Sequence, residues 1–170
     1  MNKIYIWSYW ENPEGISTPE YINMCLKSMI KFCNNDNFQF VQINPNNINE
    51  YLPNLRSDIH RVYCGRSKNQ DISTRVNYIR IQLLKYYGGI WIDADTIVLD
   101  YFDRLLPLFD SYDFFYRSDQ DKPSVAFMGC NKDSIIINRY IDEFDKLIDN
   151  SYFIEWTRSG SWLLDTIIKD

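Results

Sequence analysis

The sequence predicts an α/β fold, on three observations. Strand-like and helix-like segments alternate in the order β-α-β, helix, β, then β-β-α-α. A long helical stripe from about residue 71 to 87 runs into Gly88-Gly89 and then directly into the apolar run Ile90-Trp91-Ile92. The chain's 170 residues, 45% of them hydrophobic and 16% aromatic, suffice for one domain with a real core. No internal repeat is visible, so a single domain over residues 1–170 is expected.

Lys3 to Ser8 reads as a first strand, carried by Ile4, Ile6, Tyr5 and Trp7. Turn formers follow in ENPEGISTP. Thr18 and Pro19 resemble a helix start, with the proline at the first helical position. Ile22, Cys25, Leu26, Met29, Ile30 and Cys33 then mark an apolar stripe to about residue 33. Phe38 to Ile43 is a second strand. Asn44 to about Ser67 is irregular and polar, with a short helical turn around Tyr51 to Leu55. The next helix, about Asp71 to Tyr87, carries Ile72, Val76, Ile79, Leu83 and Tyr86 on one stripe. Ile90 to Asp93 is a short strand, and Thr96 to Leu99 extends again. Asp113 to Arg117 and Ser124 to Met128 are two more strands around the turn SDQDKP. Residues 132–149 and Ser161 to Lys169 complete the chain as helices.

Eighteen basic residues against 23 acidic ones leave a net charge of -5, which argues against a general nucleic-acid binder. A small anionic ligand stays compatible with that balance, because it needs only a local cationic or metal-bearing site. The cysteines, Cys25, Cys33, Cys64 and Cys130, form no CxxC, and His60 is the one histidine, so a Cys/His zinc site is disfavoured. Cys25 and Cys33 read as small core residues. The opening MNKIYIWSYW lacks a signal-peptide pattern, and no run approaches the ~20 apolar residues that span a bilayer. A cytoplasmic protein is expected, with peripheral membrane association open to it. No basic cluster marks a lipid-binding face.

The chemistry concentrates in Trp91-Ile92-Asp93-Ala94-Asp95-Thr96. Two carboxylates two residues apart lie ~6.5 Å from each other along an extended chain, and a bend at the strand end brings both near one ligand. Carboxyl ends of strands are where α/β sheets bind ligands. Neighbouring carboxylates repel unless a cation sits with them. Their hard oxygens suit magnesium or manganese, which then carries phosphate oxygens. An acidic protein thereby binds a diphosphate through a metal. A lone D-x-D also describes a solvated turn; here the Gly-Gly stop, the apolar strand and an Arg-bearing helix adjoin it. On that helix Asn77 and Arg80, three apart, share a face, whereas Arg75 and Arg80, five apart, do not. Asn77 and Arg80 suit a sugar hydroxyl and a phosphate; alternatively Arg80 pairs with an acidic side chain and Asn77 is solvated.

The run VNYIRIQLLKYYGGIWIDADTIVLD, Val76 to Asp100, resembles the signature of DXD-containing glycosyltransferases of the capsular-polysaccharide synthesis group. This group is glycosyltransferase family 32-like, akin to yeast-type initiating mannosyltransferases and clostridial glucosylating toxins. The opening IYIWSYWENPEGISTPEYINMCLKS resembles their N-terminal motif, and a weaker likeness continues through Val125 to Met128 and Ser159-Gly160-Ser161-Trp162. The resemblance implies a compact GT-A-type, Rossmann-like fold with a mixed central sheet flanked by helices. It also implies a nucleotide-diphosphate-sugar donor and Mn2+ or Mg2+. By that likeness Asp95 reaches the metal, and Asp93 reaches the donor ribose or sugar and, in some relatives, the metal through water. The family's D-x-x-R appears as Asn77-Tyr78-Ile79-Arg80: Arg80 matches, and Asn77 keeps hydrogen bonding without the charge. Trp7, Ser8 and Tyr9 fall where relatives cradle the base. Residues 1–100 form the donor-site half and 101–170 the acceptor side.

The implied reaction is metal-dependent hexosyl transfer to a glycan or other hydroxyl acceptor, with retention of configuration. It needs the leaving diphosphate neutralised by the metal with help from Arg80, an oriented donor, and water kept out, for which Trp7 and Trp162 are candidates. If the departing phosphate takes the acceptor's proton, no dedicated base is required, which suits a chain with one histidine; His60 matches no family ligand. Two rivals stand beside this reading. An aspartyl phosphohydrolase wants a hydroxyl or valine four residues after its first Asp, where this chain has Ile97. The other rival, motivated by Asn77 and by a length short for the group, is a transferase fold serving as a sugar-nucleotide or glycan-binding module.

Overall fold

The computed structural model describes residues 3–61, 70–151, 154 and 158–170. Its elements run β1 (Ile4–Tyr9), α1 (Glu20–Phe32), β2 (Phe38–Ile43), α2 (Ile48–Tyr51), a 3-10 turn (Ser57–Arg61) and α3 (Gln70–Tyr87). They continue with β3 (Gly89–Ile92), a second 3-10 turn (Phe102–Leu105), α4 (Leu106–Ser111), β4 (Phe114–Asp119), β5 (Lys122–Cys130), α5 (Ile135–Asn150) and α6 (Ser161–Lys169). The α/β expectation holds.

One mixed sheet has the order β2-β1-β3-β5-β4. β1 is parallel to both β2 and β3, while β5 runs antiparallel to β3 and β4. Central β3 is buried at all four positions, which is why it reads as a continuous apolar run rather than an alternating one. Ile6, Ile90 and Ile92 face α1, where Ile22, Leu26, Met29 and Cys33 close one core with Phe38 and Val98. Trp7, Trp91, Met128 and Cys130 face the other way, onto Ile79 and Leu83 of α3, Tyr140 and Phe144 of α5 and Leu164 of α6. Trp7 and Trp91 are register partners, so the two indoles stand abreast on the α3 side.

The turn chemistry is local. α1 begins at Glu20 with Pro19 as the residue before it, one position later than expected. Gln120 and Asp121 adopt positive φ, 49° and 62°, as a two-residue hairpin turn between β4 and β5 requires. Ser134 caps α5, its hydroxyl accepting from the Ile137 N–H and donating to Asp113. Gly88 ends α3 at φ 65°, and its carbonyl accepts the Trp7 indole N–H at 2.9 Å.

One expected strand is corrected. Residues 96–99 lie outside the sheet, because both edges of β3 are already paired, to β1 and β5. The segment packs on α1 instead: the Val98 N–H donates to Ser28 Oγ at 2.9 Å, and Val98 is buried. The 3-10 turn and α4 over residues 102–111 were not foreseen, since at four and six residues they are too short to show periodicity. No helix among the described residues is long and apolar enough to cross a membrane.

Cys25, Cys33 and Cys130 are free and buried, as expected of Cys25 and Cys33; Cys64 lies outside the described residues. Burial pushes the Cys33 thiol up to about 12 and raises Cys130, and it raises the hydroxyls of Tyr78 and Tyr140. Above the ordinary pKa of each group the unfolded chain sheds a proton that the folded chain keeps. Each such group therefore removes about 1.4 kcal/mol of stability per pH unit, from about pH 9 upward for the thiols and about pH 10 upward for the phenols. Melting temperature followed against pH should be flat near neutrality and fall steadily between about pH 9 and 11; a flat alkaline limb would contradict this burial.

Candidate active site

A cleft of about 430 Å³ opens at the carboxyl ends of β1 and β3. That volume lies within the range of small-molecule sites. Its walls include Tyr9, Trp10 and Glu11 at and after the end of β1, Asn77 and Arg80 of α3, Trp91 and Asp93 to Asp95, and Gly160 and Ser161 at the start of α6.

The carboxylate pair sits where β3 gives out. The Asp93 N–H still donates to Ala126 of β5 at 3.0 Å, and then the chain turns, the Thr96 N–H closing back on the Asp93 carbonyl at 3.0 Å. The expected bend is thus present. Buried Ala94 anchors it, Asp93 is half-buried, and Asp95 is exposed.

The two carboxylates have different environments. Asp93 shares a sheet face with Trp91, so its Oδ1 accepts from the Trp91 indole N–H and from Arg80 Nη2, both at 2.7 Å. Asp95 makes no hydrogen bond or ion pair to any described side chain; its charge adds to burial in raising the Cys25 thiol, which places it beside α1. Both line the same cleft, one locked and one available.

Arg80 is the buried centre of the site, its side chain 4% exposed against 31% for Asp93. Nη1 donates to Asn77 Oδ1 at 2.9 Å, the guanidinium carbon stands 4.9 Å from the Trp91 ring centre, and buried Nε finds no partner among the described residues. The helical three-residue spacing of Asn77 and Arg80 is what lets them meet. Arg80 pairs with an acidic side chain, Asp93, and also lines the cleft. Asn77 is not solvated; it is buried, and its Nδ2 donates to Ser159 Oγ at 3.2 Å.

That last bond joins α3 to the segment before α6. The Tyr140 hydroxyl holds the same segment through the carbonyls of Ser159 and Gly160, at 2.9 and 3.0 Å. Burial keeps that phenol protonated.

Several expectations for the first strand are corrected. Trp7 and Ser8 lie within β1 and are fully buried, so neither is placed to cradle a base. Trp7 points into the core under α3, bonded to Gly88, and neither cradles a base nor shields the cleft. Ser8 does not line the cleft, and its Oγ has no partner among the described residues. Tyr9 ends the strand and does line the cleft. Trp162 is 54% exposed and lies outside the cleft wall, whereas Gly160 and Ser161 lie in it. The His60 side chain falls outside the described residues.

Sequence reasoning missed Glu11 and Arg75. The Tyr9 hydroxyl donates to Glu11 Oε2, and Arg75 Nη2 pairs with Oε1, tying the post-β1 loop to α3. Burial, then Glu11, raises the Tyr9 phenol. The spacing of 64 residues between the paired charges carries no local signal.

Replacing Arg80 by lysine keeps the charge but loses the fork that bonds Asn77 and Asp93 together. Because Asp93 is partly solvated, the expected loss is about 2–3 kcal/mol. A fall in melting temperature of roughly 5–10 °C follows from that figure. A shift below 2 °C would show that the guanidinium network does not hold the site together.

The sequence profile of the capsular polysaccharide synthesis proteins matches residues 1–159. The chain belongs to that family. Among solved structures the chain is similar to one described as PaToxG glycosyltransferase, with a TM-score of 0.65 and 14% identity over 98% of this chain and 67% of that one. At that identity the likeness shows the fold, which is GT-A-like. No curated protein matches the chain.

Proposed function

We propose that this protein transfers a hexose from a nucleotide-diphosphate-sugar to a hydroxyl of a carbohydrate acceptor, with retention of configuration, using Mn2+ or Mg2+ at Asp93-Ala94-Asp95. We read that run as the DXD motif of a family 32-like transferase. The observation that carries the proposal is Asp95: an exposed carboxylate without a described partner, in the same cleft as an Asp93 whose charge is already balanced by buried Arg80.

The residues fit a hard divalent cation bound together with its substrate. Among the described residues no group of three or more His, Cys, Asp or Glu could hold a metal. Asp95 and the second oxygen of Asp93 would supply part of an oxygen shell, and diphosphate and water oxygens the rest, as is usual for magnesium. When bound, the cation neutralises charge on the leaving diphosphate.

The chain's own residues do the remaining work. Arg80 fixes the position of Asp93 and brings positive charge close to the leaving group. Asn77 and Arg80 set the wall against which the sugar is oriented. Tyr9, with its phenol held protonated, closes the wall after β1, and Ser161 closes the opposite side. The described lining contains no histidine, which suits a reaction in which the departing phosphate takes the acceptor's proton.

Nucleotide diphosphate release from a panel of UDP- and GDP-sugars, with and without manganese, tests this. Metal-dependent release from at least one donor is expected even without acceptor. Tight donor binding with no release from any donor would favour the rival reading of a sugar-nucleotide-binding module, for which Asn77 in place of Asp speaks. Neither binding nor release would sink both.

A further inference from the structure

A second concavity, about 300 Å³ in volume, lies between α2 and the C-terminal end of α3 and shares no lining residue with the cleft. We propose that it is a separate carbohydrate subsite, holding a pyranose ring of a neutral glycan. The choice of a sugar rests on the transferase reading above; the chemistry of the walls supports it on its own terms.

Three tyrosines line it, Tyr51, Tyr86 and Tyr87, together with the amides of Asn54 and Gln82 over a floor of buried Leu52. Aromatic faces pack against the C–H face of a pyranose, and side-chain amides bond its vicinal hydroxyls. Among the described residues no charged side chain lines the concavity, so neither a phosphate nor an acidic sugar finds a counter-charge there. A purely apolar ligand would bury the Asn54 amide and the Tyr86 hydroxyl without offering them partners.

The walls are preformed. The Tyr87 hydroxyl donates to the Tyr51 carbonyl at 2.9 Å, fastening α2 to α3. Tyr51 stands edge-on to Trp7 at 5.4 Å and to Tyr87 at 6.1 Å, so its ring is braced from behind. Gln82 is buried, and its amide lies beside the Tyr78 hydroxyl. Tyr86, half exposed, is the ring left open to a ligand. Fixed aromatic rings bind with little loss of side-chain freedom.

The position also has a consequence. Gln82 follows Arg80 by two residues, about 200° around α3, so the helix shows Arg80 to the cleft and Gln82 to this concavity. A glycan held here does not compete with the donor. Anchored at this point, a polymeric acceptor has its effective concentration near the protein raised without any new contact in the cleft.

The test uses four neutral tetrasaccharides, built of glucose in α and β linkage, of mannose and of N-acetylglucosamine. Each is titrated by saturation-transfer NMR against the intact protein and against Tyr86→Ala, Asn54→Ala and Asp95→Ala. At least one tetrasaccharide should bind, roughly three- to tenfold more weakly in Tyr86→Ala and about fivefold more weakly in Asn54→Ala. Binding should be unchanged in Asp95→Ala. Melting temperatures near that of the parent check that Tyr86→Ala and Asn54→Ala remain folded. Binding by none of the four, binding indifferent to Tyr86→Ala, or binding lost with Asp95→Ala overturns the subsite. Failure to release nucleotide diphosphate would sink the transferase reading and leave this measurement standing.

Discussion

Asp95→Ala is expected to lower metal-dependent release of nucleotide diphosphate by about 10²- to 10³-fold, the scale on which one electrostatic stabiliser of a developing charge acts. Asp95 is exposed and engages no described side chain, so stability should change by no more than about 0.5 kcal/mol. The substitution therefore separates chemistry from folding. Calorimetry gives a second readout: manganese should tighten donor binding in the parent and have no effect in the variant. Donor affinity indifferent to manganese in both proteins would remove the metal from the mechanism. Asp93→Ala is the less clean experiment, because it also strips Arg80 of its ionic partner.

Gly89→Ala should prevent folding. A Cβ at Gly89 would lie 2.2 Å from the Tyr5 carbonyl oxygen and 3.0 Å from its carbon, on backbone that cannot swing away as a side-chain tip can. The residue also sits at φ 96°, where an L side chain is strained. To relieve the contact β3 must leave β1, breaking the Ile6–Ile90 and Trp7–Trp91 register at the centre of the sheet. A loss above about 4 kcal/mol is expected, comparable with the whole stability of a marginal domain. Gly15→Ala isolates the strain from the clash: it too has positive φ, 75°, but open space around it. It should lose only about 1 kcal/mol. Thermal melts of the two variants decide the matter. Equal modest shifts would mean that the β1–β3 approach is looser than it looks.

Much of this was legible because it is periodic or punctuated. The bounds of β2 and α6 match the expected ranges, and α3 departs by one residue at its start. The Asn77–Arg80 contact follows from helical spacing alone, and Asp93-Ala94-Asp95 follows from its place after an apolar strand. What failed, failed for identifiable reasons. The ligand contact expected of Trp7 came from the resemblance to relatives, and packing overrides it: β1 is covered on both faces, so its side chains show no alternation that marks Trp7 as core. Thr96 to Leu99 has strand composition, but β3, the strand it follows, is paired on both sides. Glu11 with Arg75, and Asn77 with Ser159, are pairs separated by 64 and 82 residues, beyond any local pattern.

The sequence by itself determined the α/β order, the Gly-Gly stop that turns α3 directly into β3, and the carboxylate pair at that strand's end. These rest on short-range sterics, hydrogen-bonding periods and the local cost of placing like charges together. Tertiary structure alone decided that Asp93 and Asp95 differ, one neutralised by Arg80 and one left available. It also decided that residues 160 and 161 close the cleft, and that Tyr51, Asn54 and Tyr86 meet in a second concavity. Those outcomes depend on which faces of α3 and the sheet end up opposed, a matter of packing between segments far apart in the chain.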